Sequence, residues 1–232
     1  MKLILVLVSF AFLTLPTFTW ARSGGGGAGS MSVGAMGGFV NSEQTHMNTL
    51  RARANARTAN GTSDLTKAYE FGPFIQWRAG MLGFQLRPSY FTQDESDGAY
   101  EYKTSGYTVE AHFKLYPLES QDVKLFFETG VAYGSQKTVI KEDTFTVNAE
   151  GSNLGYLIGL GVEICWGMHA IVLEAGWRYL PIERNIVTSS TGTPASDSVS
   201  QYAPHQELEY DGRDLSTNMS GTKMMVGYAF NF

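Results

Sequence analysis

Residues able to do chemistry are few in this chain of 232, which has four histidines and a single cysteine. Nucleophilic or general-base catalysis needs an imidazole within hydrogen-bond reach of a hydroxyl, thiol or carboxylate, and a metal site needs ligands at recurrent spacings. His46 and His205 lie in long polar stretches, and His169 lies at a short turn. Only His112 stands in a regular segment, on the same side of it as Glu110 and Lys114. Cys165 has no partner for an internal disulfide, and a lone cysteine facing a packed interior acts as a small apolar residue. The sequence therefore predicts no enzyme, no metal site and no cofactor.

The charged residues form a more regular set. Glu70, Arg78, Arg87, Glu110, Lys114, Lys124, Glu128, Glu163, Glu174, Arg178 and Lys223 share with His112 a position opposite the apolar face of an alternating segment. Alternation of period two puts them on one side of a strand and the apolar residues on the other. Strands closed into a barrel would turn these charges toward a common interior. Charges there lose hydration and must pair, and breaking a buried pair costs about 3–5 kcal/mol. The prediction is an ionic network that plugs the lumen, with His112 opposite Glu128 when residues are counted from a turn centred near Ser120.

Eight segments must position these side chains. The last, TKMMVGYAFNF, puts Met224, Val226, Tyr228, Phe230 and Phe232 on one face, and Lys223, Met225, Gly227, Ala229 and Asn231 on the other. The others are predicted at 31–40, 69–78, 82–90, 107–115, 123–134, 154–165 and 171–179. Tight turns join some of them at 79–81, 117–122 and 166–168. Long polar connections are expected as loops at 41–68, 93–105, 135–153 and 181–217. Pro73 and Pro88 each remove a ladder donor, so both are expected at bulges or strand ends. Long and short connections alternate along the chain. In an up-and-down antiparallel arrangement that sends all four long connections to one end.

The chain starts with Lys2, an apolar run from Leu3 to Leu15, and a polar end at Ala21, the pattern of a secretory signal peptide over 1–21. A glycine-rich lead-in, 22–30, follows, and 31–232 is predicted as a single β domain. The later apolar run 154–166 is interrupted by glycines and Glu163, which argues against a spanning helix. A net charge of −5 argues against a nucleic-acid partner. Glycine is abundant on the polar face, which suits a narrow interior crowded by long side chains and turns the apolar face outward. Aromatic residues gather near both ends of the segments, as interfacial girdles would.

The terminal Phe232, with alternating apolar residues before it, resembles the assembly signal of bacterial outer-membrane β-barrels. The chain from 31 onward resembles the small eight-stranded class typified by the OmpA transmembrane domain and OmpX. That resemblance implies an all-β, eight-stranded, antiparallel up-and-down transmembrane barrel in a Gram-negative outer membrane. Its implied partners are outer-membrane lipid, lipopolysaccharide and the outer-membrane assembly machinery, and its implied role is structural or surface-interacting through four long extracellular loops. A narrow channel or a lipid A-modifying enzyme are the alternatives. Arg51, Arg53 and Arg57 in the first long connection could meet lipopolysaccharide phosphates, although a solvated loop explains them more simply.

Overall fold

The computed structural model describes residues 29–58 and 61–232. The expected signal peptide, 1–21, and residues 22–28 of the lead-in lie outside the described residues. Eight antiparallel strands close into a ring: β1 Ser30–Asn41, β2 Lys67–Ala79, β3 Leu82–Asp97, β4 Tyr100–Glu119, β5 Val123–Glu142, β6 Phe145–Trp166, β7 His169–Tyr179 and β8 Gly221–Asn231. Each strand pairs with its neighbour in sequence, and β8 pairs with β1 from Ser32↔Asn231 to Asn41↔Thr222. Closure leaves the ring without a free edge. No helix of the described residues is long and apolar enough to cross a membrane.

Period-two alternation sorts the side chains. Tyr69, Phe71, Phe84, Tyr107, Phe113, Phe127, Val131, Leu154 and Tyr228 are exposed outside, while Glu70, Gln85, Arg87, Glu110, Glu128, Arg178 and Lys223 are buried inside. This arrangement is inside out relative to a water-soluble sheet. Aromatic contacts run from strand to strand near both rims. Tyr90 packs against Phe71 and Tyr107 near one rim, and Trp77 against Phe84 near the other.

Turn chemistry fixes the hairpins. Gly80-Met81 and Gly167-Met168 are two-residue loops whose glycines have positive φ, so each glycine takes the first central position of a primed turn. The prolines are not at bulges or strand ends. The β2–β3 ladder is interrupted between Phe71↔Tyr90 and Ile75↔Leu86 with its register kept, so Pro73 and Pro88 face each other across one gap. Both missing donors fall at the same place, and each proline strand keeps its ladder with its other neighbour.

The long connections differ from expectation. The stretches 93–105 and 135–153 are not loops: β3 and β4 continue to a two-residue turn at Gly98-Ala99, and β5 and β6 continue to one at Asp143-Thr144. The connection after β1 contains a helix, α1, Thr45–Thr58. Met47, Leu50, Arg51 and Ala54 are its buried residues, at the i, i+3, i+4, i+7 spacing of one helical face. The connection after β7 folds into short strands, one of which, Ile186–Thr191, pairs with the raised part of β6. Together these pieces enclose a second core above the ring, in which Met47, Leu50 and Ala54 of α1 pack with Tyr102, Ile140, Phe145, Val147, Val187, Leu208 and Leu215. The first and last long connections and the raised parts of β4, β5 and β6 therefore form one folded cap.

Leu50 is fully buried in that cap core. Leu50→Ala is expected to destabilise the cap locally by about 2–5 kcal/mol. Limited proteolysis should then cleave α1 and the 181–217 segment faster, while the heat-dependent gel shift of the barrel stays unchanged. Equal cleavage of mutant and wild type would count against a cooperative cap.

Candidate functional site

The barrel interior is layered. At the short-turn end Met36, Phe74, Tyr116, Phe126, Val172 and Met225 form an apolar layer. At the long-connection end Val40, Ala68, Phe91, Ala132, Leu157, Leu180 and Met219 form another. Between them lies a cluster of charged side chains. Glu70, Glu110, Glu128 and Glu174 oppose Arg87, Arg178, Lys114 and Lys223, all buried, so four carboxyl groups meet two guanidinium groups and two lysine side chains.

Glu110 is the hub. Its Oε2 accepts from Arg87 Nη2 at 2.6 Å and Nε at 3.1 Å, and from Lys223 Nζ at 3.0 Å. Its Oε1 accepts from Arg178 Nη1 at 2.8 Å. Arg87 also forks onto Glu174, with Nη2 2.9 Å from Oε1 and Nη1 3.0 Å from Oε2. Planar bidentate pairing of this kind is what guanidinium geometry favours. Arg178 Nη1 makes a close charge contact with Glu70 Oε2 at 2.8 Å and donates through Nε to the Met219 carbonyl at 2.9 Å. Lys114 lies 4.0 Å from Glu128 and sits over the Phe126 ring.

His112 lies between two carboxylates, its Nδ1 2.9 Å from Glu128 Oε2 and its Nε2 3.1 Å from Glu110 Oε2. The contact with Glu128 forms even though the expected register does not. His112 is paired with Gly130 and Lys114 with Glu128, because the turn is centred further along the chain, a shift that the bulge between Leu115 and Leu118 only partly takes back. The His112 side chain therefore reaches Glu128 diagonally. Glycine makes room: a Cβ at Gly130 would lie 2.2 Å from the Ala111 carbonyl, and one at Gly159 would lie 2.8 Å from Glu128 Oε1.

Three of the sequence-predicted lumen residues stand apart from the cluster. Arg78 pairs with Glu119 near the short turns and lies over Tyr116. Glu163 accepts from Tyr116 Oη at 2.6 Å and from Gln76 Nε2 at 3.2 Å. Lys124 is the cross-strand partner of Glu163 but is only half-buried and makes no ion pair among the described residues. Sequence reasoning passed over Gln76, Gln85 and Tyr116 because they carry no charge, although the same alternation points all three inward.

His112, Glu128 and Glu174 bring three donor atoms within 4.8 Å of one another. Both carboxylates already face Arg87, Lys223 or Lys114, so a divalent cation would have to displace charges the fold supplies itself. In the cap, Ser216 contacts His46 Nδ1 through its hydroxyl and its backbone N–H, each at 3.0 Å. The backbone N–H occupies the lone pair a catalytic base would use, and no carboxylate bonds to His46 among the described residues. Burial, aided by the Arg213 charge, moves the His46 pKa down from its usual value. The pair joins the first and last long connections.

The cap arginines are also engaged. Arg51 bonds the Thr62 carbonyl and Asp64. Arg53 forks onto Asp211 at 2.6 and 2.9 Å, and Arg57 bridges Asp197 and Glu142, the latter at 2.8 Å. The Arg53 contact holds the Asp211 carboxyl below its usual pKa, and burial with the Glu142 charge raises that of the Tyr102 hydroxyl. These arginines stitch α1 to the other cap segments and are not free for phosphate.

Glu110→Gln removes the charge shared by Arg87, Arg178, Lys223 and His112 while keeping the side chain's shape. It is expected to lower barrel stability by about 3–5 kcal/mol. A urea series followed by the heat-dependent gel shift would show a lowered midpoint, whereas Glu43→Gln at the surface should leave it in place.

No protein-family profile matches the sequence, and no curated protein does. Solved structures do. The outer membrane protein OprG from Pseudomonas aeruginosa is 12% identical, with a TM-score of 0.52 over 90% of this chain and 98% of that one. The N-terminal β-barrel domain of Pseudomonas aeruginosa OprF aligns at 12% identity and a TM-score of 0.38 over 89% and 99% of the two chains. Neisserial surface protein A aligns at 13% identity and a TM-score of 0.40 over 90% and 100%. The ring closure, the inside-out alternation and the likeness to OprG together give this chain the fold of an outer-membrane β-barrel, all-β, eight-stranded and antiparallel.

Proposed function

We propose that this chain is an integral outer-membrane barrel that presents a folded cap at the cell surface and does not conduct, serving a structural or surface-interaction role. The observation that carries the reading is the exposed apolar belt around a closed ring with a polar core, an arrangement stable in hydrocarbon and costly in water. The signal-peptide pattern of 1–21 supports export. Phe232, exposed at the end of the alternating β8 face with Met224, Val226, Tyr228 and Phe230, supports recognition by the assembly machinery. Outer-membrane lipid and lipopolysaccharide are the surroundings this belt would meet.

A sealed lumen favours this reading over the channel. The ionic cluster, an apolar layer on each side and the cap core succeed one another along the barrel axis. An eight-stranded interior is only wide enough for side chains to fill. The enzyme alternative has no constellation to rest on in the described residues: His112 is held by glutamates, His46 by Ser216, and His169 packs among Trp166, Tyr228 and Phe230.

Sidedness is tested by a small epitope inserted after Thr193 and another in the turn at Asp122. Intact cells should be labelled at the first and not at the second, because exposed loop positions tolerate insertion. Labelling at Asp122 alone would invert the topology. In a planar bilayer the wild type should show no stable large conductance, and Glu128→Ala, which releases His112 and Lys114, should destabilise the barrel or open a small leak. A steady porin-sized conductance from the wild type would defeat the plugged reading.

A further inference from the structure

Two strands carry mirrored sequences where they leave the apolar belt. Outward-facing residues of β4 read Tyr107, Ser105, Lys103 going toward the cap, and those of β5 read Tyr133, Ser135, Lys137. Pairing sets Tyr107 beside Ser135 and Ser105 beside Lys137. Lys103 and Lys137 are thus diagonal neighbours, with backbones about 7–8 Å apart, so two flexible side chains can reach one phosphate. Neither ammonium has a hydrogen-bond or ion-pair partner among the described residues, although Asp94 lies across the ladder from Lys103 and Glu150 from Lys137.

Beside this pair, past Ser135, the surface dips shallowly and stays open to solvent. A depression of about 440 Å³ is lined by Ser135, Gly151, Ser152, Glu150, Arg184 and Ile186. Arg184 is largely exposed and adds a third cation next to its Glu207 partner. Below lie the exposed rings of Tyr107, Tyr133 and Tyr156 with Leu154, at the top of the belt. The order from belt to cap is therefore apolar ring, hydroxyl, ammonium.

We propose that this face of β4, β5 and β6 is a binding site for a phosphorylated glycolipid, an acylated sugar phosphate of the lipid A type. The lysines and Arg184 take the phosphate. Ser105, Ser135 and Ser152 meet the sugar hydroxyls, and the tyrosines and Leu154 pack on the acyl chains. Asp94 and Glu150, flanking the cations, suit the divalent ions that bridge neighbouring phosphates. A simple phospholipid would use the cations but leave the hydroxyls and the depression without a partner. The inference rests on the outer-membrane reading and adds to it a named site.

The test uses the full barrel folded in detergent micelles, with bound lipid counted by native mass spectrometry. The probes are lipid A, dephosphorylated lipid A and phosphatidylglycerol. The wild type should retain lipid A in preference to both others. A protein carrying Lys103→Gln, Lys137→Gln and Arg184→Gln together should lose lipid A binding by about tenfold or more, since each basic group near an anionic lipid surface adds about fivefold. Its heat-dependent gel shift should be unchanged, because these side chains lie outside the lumen. Equal retention by variant and wild type, or equal retention of dephosphorylated lipid A, overturns the phosphate site. Equal retention of phosphatidylglycerol reduces it to generic anionic attraction and overturns the glycolipid assignment. Failure of the wild type to insert into lipid vesicles would remove the membrane reading itself, a result separate from loss of the site in an inserted barrel.

Discussion

The structure depends on one constraint: backbone N–H and C=O groups surrounded by apolar material must find partners within the chain. The seam between β1 and β8 satisfies it by joining the first and last strands through ten paired positions. Once the ring is closed, strand parity decides for every residue whether it meets the lumen or the surroundings. The constraint also explains how two prolines are tolerated. Pro73 and Pro88 each lack a donor, and facing one another they concentrate the loss in a single interruption of one ladder.

Closure creates the second problem, an interior too narrow for bulk water that nonetheless receives charged side chains. The solution spans the lumen. Glu110 on β4 bonds Arg178 on β7 and Lys223 on β8, Arg87 on β3 reaches Glu174 on β7, and Glu128 on β5 holds His112. Six strands contribute charges, while β1 and β6 offer mainly small or apolar side chains. Replacing a buried ion pair with apolar residues is often neutral for stability, so the network's contribution lies in geometry. It ties opposite walls of the ring together.

The ring was legible in the sequence because a strand surrounded by lipid and lumen alternates cleanly, as Tyr69 to Arg78 and Met224 to Phe232 do. The upper strands were not, for an identifiable reason. Along β6, the outward positions Tyr156 and Leu154 are apolar, whereas the next outward positions, Ser152, Glu150 and Asn148, are polar. The inward positions Ala149, Val147 and Phe145 become the apolar ones. Side-chain parity continues through Gly151 while polarity changes sides, and a reading that follows one apolar face sees the pattern fail there and assigns a loop. Helix α1 was hidden differently. Its buried stripe of Met47, Leu50, Arg51 and Ala54 includes an arginine whose charge is met by Asp64, so the stretch reads as polar. The lumen cluster was foreseeable by residue but not by register, since the turn is centred between Gln121 and Asp122, beyond the expected Ser120, and the bulge after Leu115 only partly takes that shift back.

That change of polarity sides locates the boundary of the lipid on each strand independently. On β4 it falls between Tyr107 and Ser105, on β5 between Tyr133 and Ser135, and on β6 between Leu154 and Ser152. Three neighbouring strands inverting beside one another is what a single interfacial plane requires, and a water-soluble barrel holding a ligand would have no cause to invert at all. Beyond the plane β5 continues for nine residues, from Gly134 to Glu142, about 30 Å of strand path. Strands projecting that far into water need a conventional core of their own, and α1 with the 181–217 segment supplies it by packing apolar residues against the inner faces of β4, β5 and β6. The cap is therefore a consequence of the long strands: wherever the ring leaves lipid, the hydrophobic effect reverses direction, and the polypeptide that connects the strands must fill the inside.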